Sequence, residues 1–154
     1  MKNKIIQLIE TSYTGYKITV DLNDIKNVCF GELWAQVFEE TKEASKNPDE
    51  YYIGYQDYKS MSKAHKVFDY YALAPSKYFN KTNDDHHFMT IKAGEYILFR
   101  NTFSNHGPAF FKRVYHFVHQ NNIKVERAFD FEFLPIDFQQ NHQESVIYVG
   151  LKLL

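Results

Sequence analysis

One acidic residue in this chain stands among large apolar neighbours. Glu132 lies within Phe129-Asp130-Phe131-Glu132-Phe133-Leu134, where acids and bulky hydrophobic residues alternate. If the stretch is a strand, Phe129, Phe131 and Phe133 share one face, and Asp130, Glu132 and Leu134 share the other. Glu132 then either reaches solvent from an outer sheet face or lies partly buried, where desolvation raises its pKa unless a cation or hydrogen-bond donors compensate. In the buried case, a negative charge inside a box of rings attracts cationic, flat or lipophilic molecules. Rings available for such a box include Trp34, Phe38, Tyr55, Tyr70, Tyr71 and Phe99. A cation over one of them gains about 0.5–2 kcal/mol, depending on desolvation.

The other reactive side chains offer less. His116 and His119 are three apart in a helical pattern, and Asp84-Asp85-His86-His87 gathers potential ligands. Neither forms a His-Glu-x-x-His or another ligand set with a third member at a fixed offset, so no metal is expected. The first pair reads as the polar edge of a helix and the second as a solvated loop. Cys29 is the single cysteine, which excludes an intrachain disulfide and a cysteine zinc site and reads as a small buried or half-buried thiol. Nucleophile elbows, phosphate-binding loops and dinucleotide-binding glycine patterns are absent, so no cofactor is expected.

These side chains need elements to hold them. Leu33, Trp34, Val37, Phe38 and Ala44 recur with a helical period from Glu32 to about Lys46, where Asn47-Pro48 stops the helix. A second helix is expected from Pro108 to about Gln120, with Asn105 to Gly107 as its lead-in and Phe110, Phe111, Val114, Phe117 and Val118 as its apolar stripe. Strands are expected over Ile5 to Ile9 continuing through Tyr16 to Leu22, then Tyr51 to Tyr58, Val67 to Ala74, Phe88 to Ile91 with Glu95 to Phe103, Phe129 to Leu134 and Ser145 to Leu153. Equivalent elements start 76 to 78 residues apart (Gly31 and Gly107, Tyr51 and Phe129, Val67 and Ser145), close to half of the 154-residue chain. The expected fold is therefore α+β: β-α-β-β modules, about 1–76 and 77–154, duplicated about a pseudo-twofold axis, with antiparallel sheets, two helices and a central ligand cleft in a single domain.

Composition bounds the function. With 44% hydrophobic and 24% charged residues, the chain has the make-up of a globular domain. Its 14 Phe and 12 Tyr make rings, rather than leucine and alanine, the main apolar material. Eighteen basic residues nearly cancel 19 acidic ones, so nothing pulls the chain toward a phosphate backbone, and nucleic acid is not expected as a direct partner. No apolar run reaches the roughly 20 residues of a membrane span, and Glu10 interrupts any signal-like start. A cytoplasmic location without membrane contact is expected.

Several motifs, taken in order, resemble one family. They are Gly31-Glu32-Leu33-Trp34 opening a helix, Phe68-Asp69-Tyr70-Tyr71, Ile91-Lys92-Ala93-Gly94-Glu95-Tyr96, Phe131-Glu132-Phe133 and Ile147-Tyr148-Val149. Together they resemble the GyrI-like effector-binding domain, which also forms the ligand-sensing half of AraC-type and MerR-type multidrug regulators. The resemblance implies that Glu132 sits in the cleft and recognises hydrophobic, cationic compounds, with Trp34 and Tyr71 as partners and Phe99, Tyr55 and Phe38 among the surrounding rings. No helix-turn-helix precedes Ile5, so a stand-alone small-molecule binder without a DNA-binding domain is expected. Two alternatives follow from the same resemblance. One is a hydrolase of strained electrophilic toxins, with Glu132 as general base and Tyr71 as hydrogen-bond donor. The other is a protein-interaction role, toward a regulator or toward DNA gyrase.

Overall fold

Hydrophobic alternation becomes strand at eight places in the computed structural model, which describes residues 1–154. The strands are β1 (Asn3–Leu8), β2 (Thr11–Asp21), β3 (Tyr51–Asp57), β4 (Val67–Pro75), β5 (His87–Ile91), β6 (Gly94–Thr102), β7 (Phe129–Pro135) and β8 (Val146–Lys152). Two helices interrupt them, α1 (Phe30–Thr41) after β2 and α2 (Pro108–Gln120) after β6. All eight strands join one antiparallel sheet in the order β1-β6-β8-β7-β3-β4-β2-β5. Expected as more than one sheet, the strands instead form a single continuous one, because β3 pairs with β7 along seven registered positions from Tyr51↔Pro135 to Asp57↔Phe129. Consecutive strands β1 and β2 do not pair. β1 crosses to β6, and β5 crosses to β2.

The two sheet faces carry different cores. On one, α1 packs Trp34 and Val37 against Tyr52, Tyr70, Ala72 and Leu134, while α2 packs Phe110, Val114 and Val118 against Phe99, Val149 and Leu151. The opposite face buries Ile53, Leu73, Tyr96, Leu98, Phe131 and Phe133 with no helical residue among them, so the twisted sheet curls to cover itself. Helix α1 starts two residues earlier than its apolar period suggests and ends at Thr41 rather than near Lys46. Beyond that end the Lys46 ammonium donates to the Thr41 and Ala44 carbonyls at 2.6 and 2.9 Å and so satisfies the last helical carbonyl.

The segment 84–87 is not simply a solvated loop. The His86 side chain is fully buried, edge-on to Tyr16 and Phe79 with ring centroids 5.1 and 5.0 Å away. Its Nε2 meets Glu40 Oε1 at 2.7 Å, and the Tyr16 hydroxyl donates to Glu40 Oε2. Aromatic neighbours from β2 and the preceding loop pull this histidine inward, a long-range effect that local composition does not reveal. Burial raises the Glu40 carboxyl, but the Tyr16 and His86 hydrogen bonds outweigh it and hold the group below its ordinary value. A carboxyl depressed in the folded state stabilises above its unfolded pKa, and that contribution disappears as pH falls through the folded value. Replacing His86 by Ala is expected to cost about 1–3 kcal/mol in denaturant unfolding at neutral pH. The loss should narrow as pH falls into the carboxylate range.

Candidate functional site

The site is assembled across three neighbouring strands and closed by the two helical regions. Glu132 on β7 is registered opposite Gly54 on β3, which is in turn registered opposite Ala72 on β4. Tyr70 on β4 shares the Glu132 face, and its hydroxyl reaches over β3 to donate to Glu132 Oε1. Gly54 makes this crossing feasible. A Cβ there would sit 2.7 Å from the Tyr70 hydroxyl and would also collide with the Glu132 carboxylate. Gly54→Ala is accordingly expected to separate the pair at a stability cost of about 1–3 kcal/mol, measured by thermal unfolding.

From α1, the Trp34 indole N–H donates to the Tyr70 hydroxyl at 2.8 Å. From the segment between β6 and α2, the His106 Nε2 meets Glu132 Oε2. The two carboxylate oxygens are thus each engaged, one by a phenol and one by an imidazole. Side-chain exposure is 12% for Glu132 and 10% for His106. Burial alone drives the Glu132 carboxyl upward, but the charge and hydrogen bond of His106 and the hydroxyl of Tyr70 hold it below the usual carboxylate range. Tyr70 moves the other way. Burial, followed by the adjacent Glu132 charge, raises its phenol well above the ordinary value, so it remains a proton donor.

This constellation forms part of the wall of a cavity of about 680 Å³. Apolar rings dominate the lining, with Phe30 and Trp34 from α1, Phe68 from β4, Phe111 from α2, and Phe103 and Phe138 from connecting segments. Leu22 and Phe103 line it while remaining 38% exposed, which places them toward its mouth. An enclosed carboxylate in a predominantly aromatic chamber suits an amphiphilic organic molecule better than a small inorganic ion.

A second carboxylate lies two residues away on the same strand face. Asp130 is fully buried and accepts from Gln56 Nε2 at 2.6 Å, from the Tyr58 hydroxyl at 3.0 Å and from the Tyr115 hydroxyl at 2.7 Å. Tyr115 belongs to α2, whereas Gln56 and Tyr58 line the cavity. Asp130 therefore ties the helix to the cavity wall.

Of the residues expected from the sequence, the structure brings Glu132 and Trp34 together around the cavity. Phe38 stands one layer back, stacked on Trp34 at 5.5 Å between centroids. Tyr71 and Tyr55 do not line it. They meet each other at 5.8 Å on the opposite sheet face, with Tyr55 also 5.2 Å from Phe131. Phe99 is fully buried against Phe117 under α2 and is core. The correction from Tyr71 to Tyr70 is one of strand parity, since adjacent residues point to opposite faces. Because β4 is buried on both faces over much of its length, its apolar pattern does not say which tyrosine faces the helices. His106 was expected only as helix lead-in, and no local motif marks it.

No curated protein sequence matches the chain. Among solved structures, SAV2435 bound to tetraphenylphosphonium superposes with a TM-score of 0.68 at 13% identity, covering 100% of this chain and 94% of that one. The C-terminal domain of EcmrR gives a TM-score of 0.64 at 13% identity, covering 99% and 97%. A hydrolase from Listeria innocua gives 0.53 at 9% identity, covering 99% and 92%. At these identities the likeness is one of fold. The family model for the GyrI-like small molecule binding domain matches residues 1–152, and with nearly the whole length accounted for, the chain belongs to that family.

Proposed function

We propose that this protein binds a hydrophobic, cationic small molecule in the cavity between α1 and the segment leading into α2, with Glu132 as the anchor for the positive charge. The observation that carries this reading is the Glu132 carboxyl enclosed among rings, with Tyr70 and His106 on its two oxygens holding it below the usual carboxylate range. A buried anion is tolerated where donors surround it, and in an apolar chamber it favours a ligand that brings its own cation and its own apolar surface. Trp34, Phe30 and Phe68 supply aromatic faces against which flat or ring-bearing ligands pack. The tetraphenylphosphonium bound by SAV2435 is a cation of this chemical type and serves as the probe. Titrating it into the protein is expected to change the fluorescence of Trp34, the single tryptophan, with saturation at one site. A flat titration with calorimetrically silent mixing would sink the reading.

A second reading, hydrolysis, is favoured by one observation. Glu132 and Tyr70 place a carboxylate and a protonated phenol at the same cavity wall, a pair that can orient a water and a leaving oxygen. Structural neighbours described as hydrolases share the fold. Here Tyr70 takes the donor role that the family resemblance implied for Tyr71. Product formation from a strained electrophilic ring compound would support this reading, and intact compound recovered from the binding site would count against it.

A further inference from the structure

Glu132 is not a free anion awaiting a ligand. Both of its oxygens are engaged by protein side chains, and the group on Oε2 is itself a base able to carry positive charge. The second ring nitrogen of His106, Nδ1, is enclosed and has no hydrogen-bond partner. An imidazolium here has a buried N–H without an acceptor and relies on Glu132 for its countercharge. The neighbouring groups supply no substitute. Tyr70 is a donor bound to Glu132, Tyr58 is a donor bound to Asp130, and Asp130 is enclosed by its own three donors. Lys26, the remaining charged residue of the cavity lining, is a cation and adds repulsion. Phe111 packs against the imidazole with centroids 5.5 Å apart and offers no charge.

Two positive charges cannot both be neutralised by one carboxylate in a poorly solvated chamber. Building on the proposed role of Glu132 as cation anchor, we infer that His106 is a built-in counter-cation which a cationic ligand must displace, with release of the His106 proton to solvent. Cation affinity then rises with pH, by up to about tenfold per pH unit over the range in which the resting protein holds that proton and the complex does not. A neutral ligand of similar shape leaves the Glu132–His106 pair intact and binds without this dependence. His106 thus sets the charge selectivity of the cavity and couples it to pH.

The test compares tetraphenylphosphonium with neutral triphenylphosphine oxide on the wild-type chain and on His106→Gln, at about pH 5.5 and about pH 8, either side of the ordinary histidine range. The wild-type affinity for the phosphonium is expected to rise about tenfold or more between the two conditions, while that for the oxide changes less than about twofold. At the lower pH, His106→Gln should bind the phosphonium at least about fivefold more tightly than wild type, because a neutral donor has replaced the competing cation. Calorimetry at the lower pH, in buffers of different ionisation enthalpy, needs no variant and should show close to one proton released per phosphonium bound and none per oxide. Equal phosphonium affinity in the two proteins at the lower pH, or no proton release, overturns the role of His106 and leaves the cavity reading standing. Absence of phosphonium binding to the wild type at either pH removes the anchor role of Glu132, and this inference with it.

Discussion

Glu132→Gln is expected to lower the affinity for tetraphenylphosphonium by about thirty- to a hundredfold near neutral pH, with triphenylphosphine oxide changing only a few-fold. The size follows from what the substitution removes. Hydrogen bonds and contacts to a charged group contribute about 1.5–3 kcal/mol, and each 1.4 kcal/mol is about tenfold in affinity. Glutamine retains the shape and one carbonyl acceptor, so the Tyr70 hydroxyl keeps a partner and the chamber keeps its volume. The charge is lost, and with it the second oxygen that His106 Nε2 meets. Fluorescence of Trp34 reports binding, and a thermal melt beside it establishes that the fold is retained. Undiminished phosphonium affinity in a folded variant would remove the carboxylate from the recognition mechanism.

Asp130→Ala is expected to be the most destabilising single change in the site, by about 3–5 kcal/mol in denaturant unfolding. It would strand three buried donors, from Gln56, Tyr58 and Tyr115, that now converge on one carboxyl, and would release the side chain that links α2 to β7. Asp130→Asn should cost less, since an amide oxygen still accepts. The pH dependence separates the two acids of β7. Burial pushes the Asp130 carboxyl from 3.8 up to about 7, against the lowering effect of its three donors. The folded state therefore holds this proton over a range in which the unfolded chain has released it, and stability falls as pH rises from about 4 toward 7. Glu132, depressed in the folded state, acts with the opposite sign and loses its contribution only when acid protonates it. Asp130→Asn is expected to flatten the decline between about pH 4 and pH 7. An unchanged slope in that variant would mean that Asp130 is ionised throughout the range.

Where strand and helix lie was legible because local physics determines it. Alternation in Phe129–Leu134 placed Glu132 and Asp130 on the face opposite Phe129, Phe131 and Phe133, and the structure has this arrangement. The apolar stripe and leading Pro108 of α2 marked that helix to its ends. Lys46 shows the limit. Expected within the helix, it lies beyond the end of α1 and its ammonium reaches back to two carbonyls, a contact that helical periodicity does not encode. His86 shows a second limit, since its burial depends on Tyr16 and Phe79 converging from other parts of the chain.

The candidate site divides along the same line. Residue types and periodicity by themselves determined an α+β chain rich in rings, an acid in mid-strand among bulky apolar neighbours, and Trp34 on the apolar stripe of the first helix. Only the tertiary structure decided whether that acid meets solvent or donors, because its environment is made by β3, β4 and the segment before α2, each more than twenty residues away in sequence. Register placed Gly54 beneath the carboxylate and so admitted Tyr70, while strand parity turned Tyr71 to the other face. Packing brought His106 against Glu132. Local sequence sets the direction of a side chain relative to its own backbone. The partner it meets there depends on long-range pairing, and in this cavity the partners determine the charge of the acid and the ligand chemistry proposed for it.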